Sequence, residues 1–287
     1  MLGPRRDVHG GSVKGGSGGV EKIGPVAVGS GKGGVGTSTV AGLLASAGAR
    51  RRLDTLLVDA DPDFNSLPHL FQAGRYRGGL EAIRDPDTDL EDLLVPVRER
   101  LRLLSLGVLE EPARSTLSEG ERRILQGRLA TLYPAFELVV VDAGSRARSV
   151  LDTLGSGVET LLAVSRPDRI SAAATHALIK VSLARFPATR VALLLNGAGA
   201  EEDRAIARLM EEAAQSFLDC PTTSLPPLPS SPEIEEMLRT GRSLLQVPWN
   251  APVNQAADQA LRRLADASAS DGAERDSLPF PRPEIPS

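Results

Sequence analysis

The sequence predicts an α/β protein with a mostly parallel central sheet and helices on both faces. Three observations predict it. Short apolar runs alternate with longer helical patterns along the chain, and that order requires crossover connections. The strand runs are nearly continuous in Val, Leu and Ala, as expected of strands covered on both sides. A glycine-rich turn joins the first strand to the first helix, at the carboxyl end where parallel sheets bind ligands.

The strands are expected at Pro25–Val28, Thr55–Val58, Leu101–Leu106, Leu138–Val141, Thr160–Ser165 and Val191–Asn196. The helices are expected at Ser38–Ala49, Ser118–Leu132, Ile170–Phe186, Glu201–Phe217, Pro232–Arg239 and Asn254–Ala267. The first helix carries Val40, Leu43, Leu44 and Ala47 at i, i+3, i+4 and i+7, a single apolar stripe. Residues 1–23 are rich in glycine with scattered charge and read as a disordered leader. Residues 267–287 carry Ser, Asp and the prolines Pro279, Pro281, Pro283 and Pro286, and read as a disordered tail. One folded domain is expected between them, at 24–266.

Composition narrows the function classes. The net charge of −4 supplies no global basic field to draw the protein to nucleic acid or anionic lipid. No apolar run approaches a membrane-spanning length. The single cysteine, Cys220, excludes an internal disulfide, and the histidines His9, His69 and His176 are too scattered for a His-based metal site. A cytoplasmic protein fits this usage. The chain has only four lysines, Lys14, Lys22, Lys32 and Lys180, in an arginine-rich background.

Lys32 stands inside the glycine turn. The run Val26-Ala-Val-Gly-Ser-Gly-Lys-Gly-Gly-Val-Gly-Thr-Ser-Thr39 joins strand to helix. Closely spaced glycines let several backbone N–H groups converge, and the helix N-terminus adds partial positive charge. Gly31, Lys32, Gly33, Gly34, Val35, Gly36, Thr37, Ser38 and Thr39 are therefore the candidate phosphate cradle. The run also fits G-x-G-x-x-G twice, so an NAD(P)-binding oxidoreductase stays open, with Asp59 near the position of a ribose-binding acid. Against that, Thr37-Ser38-Thr39 supplies hydroxyls where a Mg²⁺ ligand belongs, Asp61 follows Asp59 at a strand end, and the strand Leu138–Val141 ends in Asp142.

With these residues in place, the chain resembles the ParA/MinD superfamily of deviant Walker P-loop ATPases, from about Ile23 to Leu264. The family loop reads K-G-G-V-G-K-[ST]-T; here it is Lys32-Gly33-Gly34-Val35-Gly36-Thr37-Ser38-Thr39. The resemblance implies ATP and Mg²⁺ as cofactors. It implies that Ser38, Asp59 and Asp142 serve the metal and that Asp61 positions water. It implies that Lys32 reaches across a dimer, and that Asn196, Pro229 and Ser231 flank the base. Pro167–Lys180 and Glu233–Arg242 resemble the flagellar regulator branch (FlhG-like), while Asp61–Phe71 is closer to the pilus-localising CpaE/TadZ branch. That branch often lacks the loop lysine, as does the cellulose-secretion BcsQ branch. The departure is Thr37, where the family carries the lysine that bridges phosphates.

Two functions follow as expectations. One is a nucleotide-linked homodimeric switch that positions or counts a flagellum or pilus through protein partners, with weak or absent hydrolysis. The other is a pseudo-ATPase scaffold. The helix Asn254–Ala267 pairs Leu261 and Leu264 with only Arg262 and Arg263, so it is expected to pack in the core rather than to bind membranes strongly.

Overall fold

The computed structural model describes residues 23–61, 64–74, 85, 88–107, 118–199, 201–218 and 222–276. Most of the expected leader and the last part of the tail lie outside these residues, as do Asp63 and Cys220.

The strands are β1 (Ile23–Gly29), β2 (Thr55–Asp59), β3 (Val95–Arg98), β4 (Leu101–Ser105), β5 (Leu138–Asp142), β6 (Thr160–Ser165), β7 (Arg190–Leu195) and β8 (Thr222–Ser224). They form one sheet in the order β3-β4-β2-β5-β1-β6-β7-β8. Every pairing is parallel except β3 with β4. The described helices are α1 (Thr37–Arg50), α2 (Leu67–Phe71), α3 (Glu119–Leu132), α4 (Ala147–Leu154), α5 (Arg169–Arg185), α6 (Glu201–Leu218), α7 (Pro232–Thr240) and α8 (Pro252–Asp276).

Alternation along each strand divides the core. Val26 and Val28 of β1, Leu57, Leu138, Val140 and Leu162 meet α1 and α8 on one face. Ala27, Leu56, Val58, Val139, Val141 and Leu161 meet α3, α4 and α5 on the other. A smaller cluster joins β7 to α5 and α6 through Leu193, Ile179 and Met210. Leu57, Leu138 and Leu162 are fully buried, each contributing roughly 1.5–3 kcal/mol of transfer free energy. Helix α1 lies close on the sheet because Gly48 has no side chain. A Cβ there would stand 2.3 Å from Leu138 Cδ2.

The ends of α1 and α8 are tied together. Arg51 pairs with Asp258 at 3.1 Å, and Arg50 lies 4.6 Å over the Trp249 ring. Leu261 and Leu264 of α8 are buried in the core, the placement expected of them. Among the described residues, no helix is long and apolar enough to cross a membrane.

Five elements differ from the sequence expectation. Helix α2 was not expected, because its five residues are too few to show a helical period. Strand β3 was not expected because Pro96 interrupts it. It is tolerated there because β3 is an edge strand. Strand β8 is only three residues long, too short for periodicity to register. Helix α4 begins in Arg-rich sequence and buries only Ser149, Val150, Thr153 and Leu154. Helix α8 runs to Asp276, nine residues past the boundary read from the sequence. The run of Ala, Ser, Asp and Glu continues it through Gly272, and no proline stops it before Pro279.

Candidate phosphate-binding site

Strand β1 is central, between β5 and β6, so the turn that leaves it is flanked by the loops after both neighbours. The turn is anchored from below: Ser30 N–H donates to Gly144 O at 3.1 Å, and Ala143 N–H donates to Val28 O at 2.9 Å. Gly34 and Gly36 have φ of +78° and +89°, backbone that L residues with a Cβ rarely adopt. At Gly36 a Cβ would also stand 2.3 Å from Asn196 Nδ2. That amide donates to Val35 O at 2.8 Å, tying the end of β7 to the turn.

Helix α1 starts at Thr37, with Gly36 as N-cap, no side-chain cap and no acid in its first turn. Its first backbone N–H groups therefore lack a partner within the helix and face the glycine turn. An anion is the natural partner for such a terminus. Thr37 itself turns inward. It is 8% exposed and donates to Ser30 Oγ at 3.0 Å, and Ser30 in turn donates to Lys32 O at 3.0 Å. Lys32 is exposed at the rim, where its charge helps hold the Asp168 carboxyl below its ordinary range, after the hydrogen bonds from Ser171.

The acids gather beside this turn. Asp59 and Asp142 are opposed in register at the ends of β2 and β5, and both are buried. Burial first, then the Asp142 charge, pushes the Asp59 carboxyl up to about 8, against the pull of the Leu67 and Asp61 backbone N–H groups. Leu67 N–H donates to Asp59 Oδ2 at 2.9 Å. Burial pushes Asp142 up to about 6, offset by the nearby Ser38 hydroxyl and the Gly144 N–H. Asp142 Oδ2 is buried without a hydrogen-bond partner among the described residues. Asp61 lies against Gly144: a Cβ there would stand 2.5 Å from Asp61 Oδ2. Ser38, Asp59, Asp61 and Asp142 thus share one corner. An orphaned carboxylate oxygen between a hydroxyl and further acids suits a hard divalent cation.

The remaining expected residues sit further out. Leu228 bridges Asn196, which brings Pro229 to the edge of the site. Ser231 is the N-cap of α7; its hydroxyl accepts from Ile234 N–H at 3.3 Å and donates to Glu233 at 2.7 Å. That hydroxyl is already committed to the helix. Asn65 is buried and accepts from Ser105 Oγ at 2.7 Å, which ties the segment after β2 to the end of β4. Sequence reasoning passed over Ser30 and Gly144. Ser30 stands within the glycine run and could have been found there; Gly144 becomes visible only when β5 is placed beside β1.

The strand order also bears on the dinucleotide alternative. In that fold the strand bearing the ribose acid lies next to β1. Here β5 separates β2 from β1, so Asp59 faces Asp142 across the sheet rather than a ribose beside the turn.

Known proteins share this architecture. The family model described as ParA, NUBPL iron-transfer P-loop NTPase, matches residues 21–143. The septum site-determining protein MinD of Pyrococcus horikoshii OT3, complexed with Mg-ADP, is similar at 21% identity and TM-score 0.66, covering 88% of this chain and 98% of its own. A plasmid partition protein of Borrelia burgdorferi bound to AMPPNP is similar at 14% identity and TM-score 0.69, covering 86% and 100%. MinD in the MinC:MinD complex of Aquifex aeolicus is similar at 17% identity and TM-score 0.63, covering 90% and 98%. Among curated proteins, none matches the chain significantly in sequence.

Proposed function

We propose that this chain is a member of the ParA/MinD superfamily of P-loop proteins and acts as a cytoplasmic ATP-binding switch with weak or absent hydrolysis; the family match over residues 21–143 and the shared fold support the reading. The observation that carries the reading is the uncapped N-terminus of α1 behind Gly34 and Gly36, facing the buried corner of Asp59 and Asp142. Backbone N–H groups of residues 31–39 bind the phosphates. Ser38, Asp59 and Asp142 would hold Mg²⁺, and Asp142 Oδ2 has no competing partner among the described residues. Bound Mg²⁺ supplies positive charge to the phosphate oxygens. Asp61 orients the attacking water, and Lys32 extends from the rim toward a second copy of the chain. Asn196 and Pro229 flank the base, with Ser231 supporting their loop. Solved relatives of the same fold hold Mg-ADP and AMPPNP, which supports the choice of ligand.

Hydrolysis is weak because Thr37 brings no charge to the phosphates, and its one proton is given to Ser30. The test is phosphate release by the wild type and by Thr37→Lys, with oligomeric state followed on adding ATP·Mg²⁺. A gain of turnover in the variant, with nucleotide-dependent dimers in the wild type, supports the switch. Absence of both refutes it.

The same hydroxyl chain motivates a second reading, a scaffold that works through protein partners with a static loop. Clear turnover by the wild type would discard it. For the cellular role, the stretches like those of flagellar and pilus regulators support positioning or counting of a surface machine, a role that operates through protein partners as MinD does with MinC. Unchanged number and placement of flagella and pili after deletion of the gene would count against it.

A further inference from the structure

Arg166 is the first residue after β6, and its backbone is fixed there. Its carbonyl accepts from Ser165 Oγ at 3.0 Å and from Asp168 N–H at 2.8 Å. Its side chain crosses to the loop after β7. A Cβ built on Gly197 would stand 2.8 Å from Arg166 Nη1, 3.0 Å from Cζ and 3.3 Å from Nη2. An in-plane approach from outside the two nitrogens would put Cζ farthest of the three. With Cζ at the middle distance, Gly197 lies against the flat face of the guanidinium. The seat requires glycine, both for that contact and for its φ of +77°.

The seat belongs to the segment that joins Asn196 to Pro229. Gly197 follows Asn196, whose amide reaches Val35 beside the glycine turn. The N–H groups of Gly197 and Ala198 donate to Leu228 O at 2.9 and 3.0 Å, and Ser230 Oγ donates to Gly197 O at 3.3 Å. Arg166 is exposed, so its second face is open. Its nearest acid in the chain, Asp168, spends its carboxylate on the N–H and the hydroxyl of Ser171, at 2.9 and 2.7 Å. Among the described residues, the guanidinium has no ion-pair or hydrogen-bond partner.

A guanidinium meets a phosphate with its N–H edge and an aromatic ring with its face. Here one face is seated on backbone and the other is presented beside Asn196 and Pro229. That is the presentation a flat ring accepts. Resting on the nucleotide reading above, we propose that Arg166 is the platform on which the nucleobase stacks.

The experiment is calorimetric titration of the full chain with ATP·Mg²⁺ and with Mg²⁺-tripolyphosphate, which offers three phosphates and no base. Wild type, Arg166→Ala and Arg166→Lys are compared. Arg166→Ala is expected to bind ATP about tenfold more weakly and tripolyphosphate as the wild type does. Arg166→Lys keeps the charge but not the plane, and is expected to lose nearly as much for ATP. Unchanged ATP affinity in Arg166→Ala overturns the platform. Equal losses for both ligands, or full ATP affinity in Arg166→Lys, also overturn it, because the residue would then act as a charge on the phosphates. Each of these outcomes leaves nucleotide binding standing. No binding of ATP by the wild type overturns the nucleotide reading, and the platform with it.

Discussion

Asn196 donates its side-chain amide to the Val35 carbonyl at 2.8 Å, so the end of β7 holds the glycine turn in place. The same amide occupies the space a Gly36 side chain would need. The turn is therefore clamped from the side on which the base is proposed to lie. Asn196→Ala removes a part-buried hydrogen bond worth about 0.5–1.5 kcal/mol. Its expected effect is a small fall in melting temperature together with weaker ATP binding, read by thermal unfolding and titration. Gly36→Ala is expected to be worse, since it adds both a clash and a strained φ of +89°.

The buried acids set a pH dependence. Asp59 has its folded-state pKa raised to about 8, above the unfolded value of about 3.9. Between these values the folded protein binds the proton more tightly than the unfolded chain does. The contribution to stability is therefore fully present below the unfolded pKa and is lost as pH rises toward 8. Asp59→Asn keeps an oxygen for the Leu67 N–H and removes this loss. It is expected to raise nucleotide-free stability at about pH 8 by a few kcal/mol, at about 1.4 kcal/mol per pKa unit, while weakening Mg²⁺-dependent ATP binding. Wild-type affinity for ATP·Mg²⁺ is expected to rise with pH from about 6 to 8, because metal binding requires the carboxylate and releases its proton. Denaturant melts and titrations across that range check both signs.

Thr37→Lys replaces a committed hydroxyl with an ammonium. Charged hydrogen bonds contribute about 1.5–3 kcal/mol, so ATP affinity is expected to rise by roughly ten- to a hundredfold. An unchanged or lower affinity would show that the turn does not admit the longer side chain.

A distant substitution separates stability from function. Ser118 caps α3 in a reciprocal box with Glu121. Ser118→Ala is expected to cost about 1 kcal/mol of stability and to leave ATP affinity unchanged. A loss of affinity beyond the stability loss would show that α3 is coupled to the site.

The parallel core was legible because Val28, Leu57, Val140 and Leu162 lie in runs that must be buried on both faces. The glycine turn was legible because Gly31, Gly33, Gly34 and Gly36 have little other use between an apolar strand and an apolar helix. Edge strand β3 was hidden by Pro96, and helix α4 by the arginines at its start. Within the site, side-chain commitments were the illegible part. Nothing in the order of residues says that Thr37 turns to Ser30, that Ser231 spends its hydroxyl on α7, or that Asn196 holds Val35. These follow from which loops the crossovers bring together, a long-range consequence of strand order.

The central claim is that a backbone cradle and a buried acidic corner hold a triphosphate without a lysine at Thr37. Equilibrium titration of the wild-type chain with ATP, in the presence and absence of Mg²⁺, tests it most directly. The account predicts saturable binding that requires Mg²⁺ and is lost in Asp142→Asn. Failure to bind at millimolar ATP·Mg²⁺, or binding indifferent to both Mg²⁺ and Asp142, would contradict it.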